Sequence, residues 1–138
     1  MSACARCRAG SRKETDQQFD ETMDLVRDNP VHYVHVFSYS ERHMAKSRLR
    51  GDSVATDIIS KRSQSLRDLS ESKRRMFHES LLGTVQDVLM EKSKEEGVWS
   101  GFTDNYVRVK VKSSDHLHNQ ILPIKLQKIE GQGFFGEV

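Results

Sequence analysis

One short segment of the chain alternates aromatic or basic residues with valine over residues 106–111. In an extended strand, alternate residues point to opposite faces, so one face carries valines and the other carries a ring and two cations. The outward set is Tyr106, Arg108 and Lys110, and the turn before it adds Phe102 and Asn105. Because rings can stack nucleobases and cations can hold phosphates, these five residues form a candidate RNA-binding site. The pattern alone leaves an ordinary half-buried strand as an equal alternative.

Two cysteines, Cys4 and Cys7, have the CxxC spacing of metal and redox sites. A zinc site needs four ligands, and no second pair follows at the spacing of a zinc finger. A redox pair needs a helix N-terminus behind it, and residues three apart on a strand face opposite sides. We therefore interpret both as ordinary thiols. The six histidines show no metal-ligand spacing, and the sequence contains neither a P-loop nor the CxxxCxxC of radical-type iron–sulfur sites.

Two basic runs, Lys61-Arg62 and Lys73-Arg74-Arg75, fall in a segment with helical periodicity. They could form a phosphate-facing stripe, but a solvated helix face is the interpretation that we favour. The net charge of the whole chain is only +2, so an RNA contact would have to come from a local patch.

The elements that would position these residues divide the chain into four parts. Residues 1–13 show no periodicity, and we expect a disordered or non-native start. In residues 14–56, Thr15 or Asp16 can cap a helix that Asn29-Pro30 ends. The predicted inner face of this helix consists of Phe19, Thr22, Met23 and Val26. Val31–Tyr39 then reads as a strand covered on both faces, and a polar loop follows. A single helix–strand unit cannot form a sheet, so we expect exposed apolar surface at Val34, Val36 and Phe37.

Residues 57–82 read as one long connecting helix. Its predicted inner stripe is Ile58, Arg62, Leu66, Leu69, Met76 and Phe77. From residue 83, five short strands separated by Gly- and Ser-containing turns predict a small antiparallel β-barrel: Thr84–Glu91, Val98–Phe102, Tyr106–Lys112, Ile121–Ile129 and Gly133–Val138. The predicted fold class is therefore α+β, with a boundary near Leu82.

Composition narrows the class of protein further. The chain has 138 residues, of which 36% are hydrophobic and 30% charged, so its core is thin and its surface extensive. No apolar run is long enough to span a membrane, and no signal-peptide core begins the sequence, so we expect no membrane partner. Two cysteines provide no disulfide framework, and the prediction is a cytoplasmic location.

Several motifs occur together in a recognisable order. They are Glu14-Thr-Asp-Gln-Gln-Phe19, His35-Val-Phe-Ser-Tyr-Ser-Glu-Arg42, Gly101-Phe-Thr-Asp-Asn-Tyr106 and Gly136-Glu-Val138. In these motifs the chain resembles the C-terminal part of the radical-SAM tRNA methylthiotransferases, and most of all the branch that acts on threonylcarbamoyladenosine. It departs from the family at Lys13, where the family has Gly, and at His43-Met-Ala45, where the family has Pro-Gly-Thr.

The resemblance implies an architecture and a function. Residues 14–56 would be the last helix–strand unit of a partial (β/α) radical-SAM barrel, and residues 83–138 would be a TRAM domain that holds the tRNA anticodon arm. The whole enzyme adds a methylthio group to C2 of a modified adenosine beside the anticodon, using two [4Fe–4S] clusters and S-adenosylmethionine. Glu14 and Arg42 would lie on the S-adenosylmethionine side.

The cluster cysteines of the family have no counterpart in this sequence. We therefore expect this chain to bind no cofactor and to be inactive alone, with the missing N-terminal part of the enzyme as a partner. The alternative is a free-standing RNA-binding TRAM adaptor without catalysis.

Overall fold

The computed structural model of the chain describes residues 4–11, 13–40, 53–92 and 95–138. These residues form two helices and seven strands, arranged as two compact units. The first unit ends at Arg74, and the second runs from Arg75 to Val138, so the division falls before the predicted boundary near Leu82. In the part of the chain that is described, neither helix has the length and apolar composition of a membrane span.

The first unit begins with β1 (Cys4–Ala9), which pairs in parallel with β2 (Tyr33–Ser38). Ala5 lies opposite Val34, and Ala9 lies opposite Ser38. The prediction of a disordered or non-native start over residues 1–13 is therefore wrong for Cys4–Ala9. The reason is that short side chains carry the alternation in this strand: burial increases toward Ala9 on one face, while the basic side chains lie on the exposed face.

Helix α1 (Asp16–Asp28) has the start and the end that the sequence predicts. Thr15 is the N-cap, and a capping box joins it to Gln18. Asn29 is the C-cap residue, and its backbone N–H donates to Leu25 O at 3.3 Å. Phe19 and Val26 are buried, and together with Val34 they form the apolar core of this unit. The helical spacing of the apolar residues is thus confirmed.

Strand β2 is not covered on both faces, which corrects the prediction for Val31–Tyr39. Val34 is buried, but Phe37 is 55% exposed, because only one face of the two-stranded sheet packs against helices. The prediction of exposed apolar surface is therefore confirmed at Phe37, but it is wrong at Val34, which contributes to the core. The partner that Val34 was predicted to lack is β1.

Helix α2 (Thr56–Leu81) buries hydroxyl groups that the apolar pattern does not reveal. Ser70 Oγ accepts the Val34 N–H at 2.7 Å and donates to Val34 O at 3.1 Å. Ser63, fully buried, lies 2.8 Å from Ser38 through the two hydroxyl oxygens. The Tyr39 N–H donates to Ala9 O, so the backbone N–H and C=O groups of the odd-numbered residues along β2 point toward β1. Those of Val34 point to the opposite edge of β2, where they bond to Ser70.

The predicted inner stripe of α2 is correct in its middle and wrong at two positions. Leu66 is fully buried, and Leu69 packs against the same core. Met76 is 67% exposed and Ile58 is also exposed, because buried Arg62 and the two buried serines turn the contact face of the helix away from both. At the end of α2, Phe77 packs on the barrel core of the second unit.

The second unit is a closed five-stranded barrel. Its strands are β3 (Val85–Lys92), β4 (Val98–Thr103), β5 (Arg108–Lys112), β6 (Ile121–Glu130) and β7 (Gly133–Glu137), in the order β3-β4-β5-β7-β6. All neighbouring strands are antiparallel except β5 and β7, which are parallel, so the prediction of an antiparallel barrel is corrected at this pair. The long connection through β6 makes this crossing possible.

The barrel core consists of alternate side chains from β3, β5, β6 and β7 and of residues beside these strands; Trp99 of β4 packs against it, and Phe134 is its largest member. The full buried set is Val88, Met90, Val107, Val109, Val111, Leu117, Ile124, Leu126 and Phe134. Gly101 lets β3 and β4 approach closely, because a Cβ at this position would lie 2.2 Å from Leu89 O. The inward alternation leaves the intervening residues of β4 and β5 on the outer surface.

Candidate nucleic-acid interface

The outer face of β4 and β5 places an aromatic ring beside a cation. Phe102 and Arg108 are register partners, and the Arg108 guanidinium lies over the Phe102 ring at 5.2 Å from its centroid. Lys110 follows on the same face and is the register partner of Ser100. Arg108 and Lys110 thus lie on one face, as the alternation of the sequence predicts, and Phe102 lies on that face beside them. A guanidinium beside an aromatic ring offers a cation for a phosphate and a surface on which a base can stack.

Tyr106 does not lie on the strand as predicted. It belongs to the turn between β4 and β5, with φ of 61°, and its side chain is 80% exposed. Thr103 holds the turn, since its hydroxyl accepts the Val107 N–H at 3.0 Å and donates to Asn105 Oδ1. These local bonds end the ladder at Arg108 and move the Tyr106 ring to the tip of the turn.

Strand β7 adds residues that the sequence interpretation missed. Phe135 is the register partner of Lys110 on one side and of Lys128 on the other, so it continues the outer face with a ring between two cations. The signal for Phe135 was the alternation in the last strand, where Phe134 is buried and its neighbour therefore points outward.

The outer surface of the barrel is electrostatically uneven. The outward residues of β5 are all basic, namely Arg108, Lys110 and Lys112, whereas Asp87 and Glu91 point outward from β3. A phosphate backbone would therefore be attracted to β5 and repelled from β3. The arrangement favours a polyanion on the β4–β5–β7 face.

The two residues predicted to lie near S-adenosylmethionine have different outcomes. Arg42 lies outside the described residues. Glu14 is described, and its Oε2 accepts hydrogen bonds from the Gly10 N–H and from Arg62 Nη1, both at 2.8 Å. Arg62 Nη2 also donates to Asp16 Oδ1 at 2.7 Å. Glu14 thus takes part in a partly buried network that joins α2 to the start of α1.

The basic runs of α2 form neither a phosphate-facing stripe nor a wholly solvated face. Arg62 is buried; burial acts to lower its pKa, but its bonds to Asp16 and Glu14 outweigh this effect and raise the pKa. Lys73 Nζ donates to the carbonyl oxygens of Val26 and Asn29 at the end of α1. A lysine at this position suits the helix dipole and its unpaired carbonyls.

The two cysteines do not form a joint site. Cys4 is exposed and Cys7 partly buried, on opposite faces of β1 as expected for positions three apart. Burial raises the pKa of the Cys7 thiol. An iron–sulfur cluster of the resembled family needs three thiolates, and this pair does not fit one. No group of three or more His, Cys, Asp or Glu side chains suited to a metal occurs in the described ranges.

Comparison with known proteins identifies relatives over most of the chain. It is 33% identical over 128 residues to the tRNA-2-methylthio-N(6)-dimethylallyladenosine synthase of Aliarcobacter butzleri, covering 91% of this chain and 29% of that protein. It is 25% identical over 119 residues to the threonylcarbamoyladenosine tRNA methylthiotransferase of Bacillus subtilis, covering 83% and 26% respectively. The synthase of Petrotoga mobilis is 28% identical over 131 residues, covering 94% of this chain and 30% of that protein.

These relatives are tRNA methylthiotransferases, which supports the family that the sequence motifs indicated. No protein-family model matches the chain. The chain spans less than a third of the length of the relatives described here.

Proposed function

We propose that this chain binds the anticodon arm of tRNA through the outer face of its barrel, as the TRAM portion of a tRNA methylthiotransferase. The observation that carries the proposal is the Arg108 guanidinium, which lies 5.2 Å from the centroid of the Phe102 ring on a strand whose outward side chains are all basic. The tRNA-modifying relatives supply the class of nucleic acid. Such a protein would work in the cytoplasm, where tRNA is modified.

The stacked pair and the turn suit an unpaired base better than a duplex. Arg108 lies over the Phe102 ring, and the exposed Tyr106 ring lies at the end of the same hairpin. Sequence-specific RNA recognition uses bases that are splayed out and stacked on aromatic rings or guanidinium planes. Lys110 and Lys112 then follow along β5, where they can contact successive phosphates.

The reaction of the whole enzyme is part of the proposal, but no step of it is assigned to this chain. That reaction is the addition of a methylthio group to C2 of an N6-modified adenosine beside the anticodon. The relatives include enzymes named for dimethylallyl- and for threonylcarbamoyladenosine, so the threonylcarbamoyl branch stays a prediction. Residues 4–40, which form a βαβ unit, would correspond to part of the partial barrel, and a cluster-bearing portion would act as the partner of this chain.

Binding of an anticodon stem-loop RNA, measured by fluorescence anisotropy over a range of salt concentrations, tests the proposal. Arg108→Ala should raise the dissociation constant about 5- to 100-fold, because it removes a phosphate contact and a stacking surface. The salt slope should fall by about 0.7, the value for one contact to a single strand. Arg108→Lys should restore the slope but not the affinity, because lysine keeps the charge without the planar stack.

The matched control is Lys125→Ala, which removes a cation from the outer face of β6, beside Val85 rather than beside Arg108. If Arg108→Ala and Lys125→Ala weaken binding equally, the attraction is unspecific and the proposed face is wrong. The alternative function, a free-standing adaptor, would be favoured if the chain bound RNA and remained soluble without any other part of an enzyme. Binding of a dye to exposed apolar surface around Phe37 would instead favour a portion of a larger enzyme over a free-standing adaptor.

A further inference from the structure

A row of exposed apolar side chains crosses the barrel surface next to the proposed RNA-binding residues. Ile121 is the register partner of Leu89, Leu89 of Phe102, and Phe102 of Arg108. Ile121 is 68% exposed and Leu89 is 43% exposed, although apolar residues are scarce in this chain. We call these four residues the barrel strip. Its contiguous apolar part is the kind of surface that marks an interaction site.

The charges around the barrel strip differ between its two halves. Asp87 and Glu91 lie on the same face of β3, two residues before and two residues after Leu89. On β5, Arg108 and Lys110 supply two cations at the other half. None of these four charged side chains forms an ion pair within the part of the chain that the structure describes. The strip therefore has an apolar centre, an acidic half and a basic half.

This pattern is complementary to itself. A two-fold axis at Phe102, which lies midway between Leu89 and Arg108, would place the acidic half of one copy against the basic half of another, and it would do so twice. Interfaces with two-fold symmetry require this kind of patch, in which residue i contacts residue j and j contacts i. A polyanion does not suit the acidic half, because Asp87 and Glu91 would repel its phosphates.

We infer that the barrel strip joins two copies of this chain in a weak, two-fold symmetric dimer that covers the RNA-binding face. The strip involves few residues, well below the roughly 800 Å² per partner of a standard interface, so the association is expected in the micromolar to millimolar range. The dimer and RNA would compete for Phe102 and Arg108; this competition alone rests on the proposed function.

Sedimentation equilibrium of the full chain at increasing concentrations tests the dimer. Two charge-reversed variants, Asp87→Lys/Glu91→Lys and Arg108→Glu/Lys110→Glu, should each weaken self-association by about tenfold or more, because like charges then face each other. An equal mixture of the two variants should associate again, since one carries only cations around the strip and the other only acids. A misfolded variant would not be restored by mixing. Lys125→Glu, outside the strip, should leave the association unchanged.

The inference is overturned if the chain is monomeric at all concentrations, or if neither charge reversal nor mixing changes its association. Adding the stem-loop RNA separates the two proposals. Dissociation of the dimer as RNA binds supports the shared face, and RNA binding to an intact dimer overturns the competition. If no RNA binds, the proposed function fails, while the mixing result still decides whether the dimer exists.

Discussion

Replacing Arg62 with methionine should destabilise the first unit more than any surface change. Methionine keeps an unbranched apolar stem but removes the guanidinium that binds Glu14 and Asp16. The guanidinium also lies over the Phe19 ring at 5.4 Å and donates to Glu14 O at 3.0 Å. Its loss leaves the Glu14 carboxylate in the interior with only the Gly10 N–H as a described partner.

The expected magnitude follows from the exposure of each partner. The side chains of Arg62 and Glu14 are 7% and 12% exposed, so Arg62→Met breaks a buried pair, at a cost of about 3–5 kcal/mol. The side chain of Asp16 is 94% exposed, so Asp16→Asn removes a solvated partner and should cost below about 1 kcal/mol. Glu14→Gln, which leaves Arg62 buried with the exposed Asp16, should fall between these two values.

Urea unfolding of the full chain measures these changes in the first unit when it is monitored through the hydrogen exchange of amides in α1 and β2. Trp99 fluorescence reports on the barrel at the same time, because the only tryptophan of the chain lies in β4. The double variant Arg62→Met/Glu14→Gln should cost about 2 kcal/mol less than the sum of the single changes, since neither charge is left behind. Additive costs, or an Arg62→Met cost near that of Asp16→Asn, would refute the buried network.

Two further predictions concern the glycine at the β3–β4 contact and the buried thiol. Gly101→Ala should lower the free energy of unfolding of the barrel by about 2 kcal/mol or more, because its Cβ would overlap Leu89 O. Gly97→Ala meets no atom within 4 Å and should cost about 1 kcal/mol for its positive φ alone. Urea unfolding followed by Trp99 fluorescence measures both costs. Because burial raises the pKa of Cys7, the unfolded chain loses this proton first, so the free energy of unfolding should fall as the pH rises from about 8.5, and Cys7→Ala should remove that dependence in urea titrations at pH 7 and 9.5.

Periodicity was sufficient to predict the strands of the barrel. All five predicted segments are strands, and every end except the start of β5 agrees to within one residue, because Gly-containing turns separate runs with a clear period of two. Strand β5 begins at Arg108, two residues later than predicted, because Tyr106 has a positive φ that its residue type does not indicate. The parallel pairing of β5 with β7 is a property of the closed barrel and has no signal in either strand alone.

The first unit was harder to predict because its burial depends on polar contacts between distant segments. Ser63 and Ser70 look like surface residues of a helix, yet their hydroxyls bond to β2, 25 and 36 residues away in sequence. The spacing of Arg62 predicts a place on the inner stripe, but its burial depends on its ion pairs with Glu14 and Asp16 near the start of α1. In β1, short side chains concealed the alternation that would have predicted a strand.

The Ser70 hydroxyl limits how the small parallel sheet can grow. A strand edge accepts a neighbour only through backbone groups that point outward, and at Val34 both of these groups are already bonded to Ser70. The opposite edge, formed by the outward backbone groups of Arg6 and Arg8 in β1, has no strand beside it among the described residues. A strand added beside β2, whichever chain contributes it, would have to break both Ser70 bonds at Val34, so a single serine favours growth of the sheet beside β1.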